Sequence, residues 1–169
     1  MKHVLWIEDE ATFDLNRLAA AVNVTFKYKL TIAKTVTDAV RHMTSGTEYE
    51  VVVVDMRLLP GEDPRWKRLQ DTNDRVLLGM ELVYSLLAAE RGRVTLDPAE
   101  RPQWLGPQRF AIFTVEPEKE LSDFLDVVGI DRRFYRRKKA SLEQTTLLDL
   151  IEMVIAYRAG VLNPNGRQG

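Results

Sequence analysis

Val51-Val52-Val53-Val54-Asp55-Met56-Arg57-Leu58-Leu59-Pro60-Gly61 is the stretch whose reading decides the fold. Four consecutive β-branched residues, stiff at χ1, favour an extended strand. Because no polar residue alternates with them, both faces of that strand must be out of water, as in the middle of a parallel sheet. The run stops at Asp55 and enters a Pro-Gly loop, so a carboxylate stands at the carboxyl end of an interior strand.

Outward from there, the same strand-then-helix rhythm repeats. His3 to Ile7 is a short apolar run stopped by Glu8-Asp9-Glu10, and Phe13, Leu15, Leu18, Ala19 and Val22 follow at helical spacing. Val24 to Ile32 alternates in part, with Phe26, Tyr28, Leu30 and Ile32 against Lys27, Lys29 and Thr31, which predicts a strand near a sheet edge. Thr35 to Met43 carries Val36, Ala39, Val40 and Met43 on one helical face, with Gly46 as the expected stop. Arg57 to Val76, rich in charge and broken by Pro60, Gly61 and Pro64, predicts a loop with one helical turn before a helix from Met80 to Ala89. Gly92 to Gln108 is interrupted by Pro98, Pro102, Gly106 and Pro107. A strand Phe110 to Phe113 then ends at Thr114, and Pro117 opens a helix whose stripe is Leu121, Phe124, Leu125 and Val128. Phe134 to Arg137 predicts a last strand. Ser141 is the expected cap of a final helix carrying Leu142, Leu147, Leu148, Ile151, Val154 and Ile155.

Five strand-helix units call for an α/β fold, a doubly wound sheet with helices on both faces. Such a core needs roughly 116 residues at ordinary element and loop lengths, and the chain has 169. The excess predicts a single domain over 1-159 with extra segments at about 62-78 and 92-107, and a loose tail at 160-169. Trp66 and Trp104 fall in those segments and are expected to anchor them.

Composition narrows the chemistry. No cysteine is present and the only histidines are His3 and His42, which excludes thiolate metal sites, cysteine nucleophiles and multi-histidine centres. Lys plus Arg total 24 against 25 acids, so the charge balance argues against wholesale nucleic-acid or membrane adhesion. Acid at Glu8 precludes a secretory signal and no apolar run reaches membrane-spanning length, so no membrane insertion is predicted and the cytoplasm is the expected location.

In open α/β sheets ligands bind beyond the carboxyl ends of the strands, where strand order reverses. Glu8, Asp9, Asp55 and Thr114 all stand at such ends. Three carboxylates in one crevice repel unless a cation joins them. A hard, oxygen-bound ion fits; Mg2+ is the expected one, with calcium chemically open.

These residues together resemble the receiver domain of two-component response regulators. The matching stretches are Val4-Leu5-Trp6-Ile7-Glu8-Asp9-Glu10, Val51 to Gly61, Ile112-Phe113-Thr114 and Tyr135-Arg136-Arg137-Lys138, spread over most of residues 2 to 157. The resemblance implies a flavodoxin-like receiver fold, a five-stranded parallel sheet of order 2-1-3-4-5. It implies Asp55 as phosphoacceptor, Glu8 and Asp9 as acids holding Mg2+ with Asp55, and Arg57 contributing its backbone carbonyl. It implies Thr114 on the phosphoryl group, Lys138 paired with Asp55, and a switch in which Thr114 moves and Tyr135 fills the space left. The implied donor is a histidine kinase or phosphotransfer protein. No turnover is implied beyond autocatalysed transfer to Asp55 and its reversal by hydrolysis. The implied output surface joins the fourth predicted helix, last strand and last helix, including Lys119, Arg136, Arg137 and Lys139. It would serve a homodimer or a downstream protein partner.

The chain departs from the family pattern in places. Lys139 and Ala140 stand where proline and an aromatic are usual, so Lys139 competes with Lys138; Tyr135, three residues before Lys138, favours the latter. Val115 replaces a smaller residue and is expected to narrow access, and Glu8 replaces the commoner aspartate. These departures leave open a receiver-like interaction module with weak or absent phosphotransfer. Taken alone, the acidic triplet equally suits a solvated first helical turn. The basic run Arg132 to Lys139, interleaved with Phe134 and Tyr135, leaves direct nucleic-acid binding as a third reading.

Overall fold

The four valines form β3 (Val51–Val54), and all four are fully buried. Their strand lies at the centre of a five-stranded parallel sheet of order β2-β1-β3-β4-β5, with β1 (Lys2–Ile7), β2 (Tyr28–Ala33), β4 (Phe110–Thr114) and β5 (Tyr135–Arg137). The computed structural model describes residues 1–10 and 13–160; the side chains of Phe13 and Asp14 and the expected tail beyond Gly160 lie outside the described residues. Register aligns the strand ends: Ile7 pairs with Val54, Val54 with Ile112, and Thr114 with Arg137. The sequence-predicted site residues therefore emerge along one edge of the sheet.

Helices cover both faces. α1 (Phe13–Asn23) packs on α6 (Thr146–Arg158). α4 (Leu78–Leu87) packs between α2 (Val36–Met43) and α5 (Ser122–Val128). α2 shows why such a short helix holds. Val36, Ala39, Val40 and Met43 bury one face, and Thr35 caps the start by accepting from the Asp38 amide at 3.0 Å. That cap is worth about 1 kcal/mol. Asp38 in the first turn and Arg41 in the last complement the helix dipole.

Several boundaries differ from the sequence reading. The loop expected after Arg57 contains a full helix, α3 (Pro64–Thr72), capped by Asp63, which accepts from the Arg65 amide at 2.9 Å. Its mostly polar composition hid the period; the Asp63-Pro64 start was the readable signal. α4 begins at Leu78 rather than Met80. β2 begins only at Tyr28. Phe26 sits in the preceding turn at φ +54° and is 82% exposed, so it does not share the strand's buried side. Phe134 closes a 3₁₀ turn instead of starting β5, whereas α2 ends at Met43 as its apolar stripe predicts, short of Gly46. Ser141 caps nothing, because α6 starts at Thr146.

Segments 62-78 and 92-107 are tied to each other and to the body. The Arg65 guanidinium is forked onto Asp63 on one side and Glu100 on the other, with Nη1 also donating to the Thr95 carbonyl at 3.1 Å. Trp66 is fully buried. Trp104 leans on the Tyr49 ring at 6.0 Å, and the Arg109 guanidinium stands over the Trp104 ring at 5.6 Å. Both tryptophans thus serve the anchoring expected of them.

Candidate active site

Glu8 follows β1, Asp55 follows β3, Thr114 ends β4 and Lys138 follows β5. Backbone bonds continue the sheet past the strand ends and lock these positions: the Glu8 amide donates to Ala33, Asp55 to Ile7 and Lys138 to Thr114, at 2.9, 3.1 and 2.7 Å. Glu8, Asp55 and Thr114 are buried. Asp9 is half-buried, and one carboxylate oxygen from each of Glu8, Asp9 and Asp55 lies within 4.8 Å of the others.

Into this acidic cluster comes one cation. Lys138 Nζ donates to Asp55 Oδ2 at 2.9 Å and also to Glu8 Oε2. Lys139 is exposed, so the register follows Lys138. Burial pulls the Lys138 ammonium down, but the charges of Asp55 and Glu8 and its hydrogen bonds to both outweigh that and hold it above its ordinary value. Glu8 moves the other way from a normal carboxylate. Burial, then the charge of Asp55, pushes it up to about 7 despite Lys138. A single ammonium shared between two buried carboxylates leaves the cluster short of positive charge. With Asp9 added, the all-oxygen donor set fits a hard divalent cation.

The rim is organised by Glu116, a residue absent from the sequence reading. Its carboxylate accepts from Arg57 Nε at 2.5 Å, its carbonyl accepts from the Tyr135 hydroxyl at 2.5 Å, and its amide donates to Thr114 Oγ1 at 3.4 Å. Tyr135 is buried. An acid two residues after the strand-ending threonine was the available signal. Arg57 also approaches Asp55 through its amide, 3.4 Å from Oδ1. Val115, expected to narrow access, is 44% exposed, and the neighbouring Glu116 pairs with Arg57.

Gly79 is the other missed residue. A Cβ there would stand 1.9 Å from the Asp55 carbonyl oxygen, and its amide donates to the Met56 carbonyl at 2.9 Å. The start of α4 is thereby pressed against the backbone of the strand-ending aspartate, which only glycine permits. Beyond the rim, a cavity of about 510 Å³ is lined by Asp9, Arg57 and Glu116 on the site's side and by Gln70, Asp74 and Arg75 opposite.

This order of strands, with acids after β1 and β3 and a lysine after β5, decides the comparison. The chain has the fold of response-regulator receiver domains. No protein-family model matches it, and no curated protein does so at a significant level. Solved receivers match its structure over nearly their whole length. A CheY-like receiver from Methanospirillum hungatei has a TM-score of 0.59 at 17% identity, covering 95% of this chain and 98% of its own. A receiver from Clostridium thermocellum has 0.59 at 16%, covering 96% and 100%. The Mn2+-bound form of response regulator Rcp1 has 0.53 at 15%, covering 94% and 93%.

The receiver fold also disperses the basic run. Arg132 pairs with Asp126 at 3.0 Å, Arg133 with Asp131 at 2.8 Å, and Arg136 and Arg137 donate to backbone carbonyls. Phe134 and Tyr135 are buried. Neither offers a face on which a base can stack. Lys119, Arg137 and Lys139 are exposed and Arg136 is half-buried. The last three line a cavity of about 470 Å³ beside the start of α6. Among the described residues no helix is long and apolar enough to cross a membrane.

Proposed function

We propose that the chain is a phosphoacceptor module of a two-component system, phosphorylated on Asp55 in the presence of Mg2+ and read out through a protein-binding face. The observation that carries this reading is Lys138 Nζ bonded to Asp55 inside a cluster completed by Glu8 and Asp9. Glu8, Asp9, Asp55 and the Arg57 carbonyl would hold the ion; a solved receiver of the same fold is described in an Mn2+-bound form. Bound there, the ion supplies charge stabilisation for the phosphoryl oxygens.

In the proposed step a carboxylate oxygen of Asp55 attacks the phosphorus of a phosphohistidine on a kinase or phosphotransfer protein. The P–N bond breaks as the O–P bond forms, and the imidazole leaves with the electron pair and takes a proton. Lys138 shifts from the carboxylate toward the arriving phosphoryl oxygens, and Thr114 Oγ1 donates to them. Thr114 is also in contact with the Glu116 amide, and Glu116 holds Tyr135. Movement of the hydroxyl thus reaches the face of α5, β5 and α6, where Lys119, Arg136, Arg137 and Lys139 would meet a second copy or another protein.

Beryllofluoride with Mg2+ tests the reading. The expected result is saturable, Mg2+-dependent binding that perturbs Tyr135 and is lost in Asp55→Asn. Absence of binding at high Mg2+ would leave a receiver-shaped interaction module.

A further inference from the structure

Segments 62-78 and 92-107 meet in a groove that plays no part in the site around Asp55. One wall is a single face of α3, where Arg65, Arg68, Leu69 and Thr72 recur at helical spacing. The other is the bend at Arg93 to Thr95, and the groove, which opens to solvent, has a volume of about 360 Å³. No acidic residue lines it. The carboxylates that balance its arginines, Asp63, Glu100 and Glu81, stand outside the lining.

The three arginines differ in what they have left to give. Arg65 has every nitrogen engaged with Asp63, Glu100 and the Thr95 carbonyl, so it is a fixed post. Arg68 uses only Nε, on the Pro64 carbonyl at 3.3 Å, and Arg93 uses Nε, 3.5 Å from Glu81. The Nη groups of both have no hydrogen-bond partner among the described residues. Leu69 and the buried Val94 make the floor apolar.

The far wall is already in place. The Arg93 amide donates to Glu81 at 3.2 Å, and Ser85 Oγ donates to the Val94 carbonyl at 2.7 Å in the interior. A ligand would not have to order that strand of backbone, which removes a cost of binding. Guanidinium forks match phosphate oxygens bidentately. A floor of Leu and Val suits an uncharged body beside the phosphate. The volume lies at the small end of the ~300–1,000 Å³ of ligand cavities, which fits a small phosphate ester.

We propose that the groove between α3 and Arg93–Thr95 binds a small phosphate ester or pyrophosphate compound through the Nη groups of Arg68 and Arg93. This site is independent of phosphorylation at Asp55.

Calorimetric titration of the full chain with inorganic pyrophosphate and with adenosine monophosphate, in metal-free low-salt buffer, tests it. The expected result is saturable one-to-one binding, weakened tenfold or more by Arg68→Ala and by Arg93→Lys. Lys67→Ala, an exposed cation of α3 outside the groove lining, should change it less than twofold, and Asp55→Asn should leave it unchanged. Absence of binding at millimolar ligand would overturn the proposal. So would equal weakening by Lys67→Ala, which reports diffuse attraction, or loss in Asp55→Asn, which places the anion at the acidic site. Arg68 is exposed, so its variant keeps the test valid if the Arg93 variant fails to fold.

Discussion

Lys138 Nζ stands 2.9 Å from Asp55 Oδ2 and bonds Glu8 on its other side. One cation therefore serves two buried carboxylates that arrive from different strands. Removing it leaves two like charges facing each other in a desolvated crevice. Lys138→Ala should lower unfolding stability by about 3 kcal/mol near pH 8. At pH 5.5 the loss should be clearly smaller, because Glu8 is then protonated. Urea denaturation at the two pH values reads the difference, and Lys139→Ala should change neither.

The raised Glu8 carboxyl sets a pH dependence of known sign. Its value in the fold is about 7, against 4.5 as the ordinary value. Between these the folded state holds a proton that the unfolded state has released. This group therefore makes the metal-free protein less stable as pH rises from about 4.5 to about 7, and contributes no slope above that. Mg2+ needs the ionised carboxylate, so its affinity should rise with pH up to about 7 and then level off. Denaturation midpoints at pH 5, 6 and 8, with and without Mg2+, would show both trends. Glu8→Gln should remove them.

Gly79 bears directly on Asp55 through backbone contact. Gly79→Ala places a methyl group 1.9 Å from the Asp55 carbonyl oxygen, and the backbone on both sides must shift. A cost of about 3 kcal/mol is expected, the upper range for overpacking, along with weakened metal binding. Gly46→Ala provides the contrast. Nothing lies within 4 Å of a Cβ there and only its φ of +88° resists, so about 1 kcal/mol should be lost with the site unaffected.

The Arg57–Glu116 pair lines the cavity beside the site and brings little energetic gain. The Arg57 side chain is 67% exposed, and pairs of that kind contribute about 1 kcal/mol or less. Arg57→Ala should leave the thermal midpoint nearly unchanged while altering the rate at which a small acyl phosphate modifies Asp55. Glu116→Ala should have the same kinetic effect, because it opens the same pair. A rate unchanged in both variants would show that the pair does not gate access.

Much of the architecture is legible in local pattern. The valine run, the acids after two strands and the helical stripe of Val36, Ala39, Val40 and Met43 all carry periods that a few neighbouring residues suffice to express. α3 was missed because its burial depends on Trp66 reaching the core rather than on an apolar stripe. The start of β2 was misplaced because Phe26 continues the alternation in type but turns out of the sheet in space. Ser141 has the chemistry of a cap, but the chain after it runs on to Thr145 before the helix starts. Glu116 and Gly79 were missed for a common reason: an acid in a loop and a glycine near a helix start have many uses, and what distinguishes these is a neighbour far away in sequence.

The sequence alone determined the order of the five strands and of every α-helix but α3, the oxygen-only character of any metal site and the strand-end candidates Glu8, Asp9, Asp55 and Thr114, because each follows from residue type and local period; Lys138 came from the resemblance to receiver domains. Tertiary structure decided which lysine enters the site, which acid ties the rim together and why residue 79 must lack a side chain. Lys138 meets Asp55 across 83 positions and Glu8 across 130. Such contacts arise only when parallel strands align their carboxyl ends, and no local periodicity encodes that alignment.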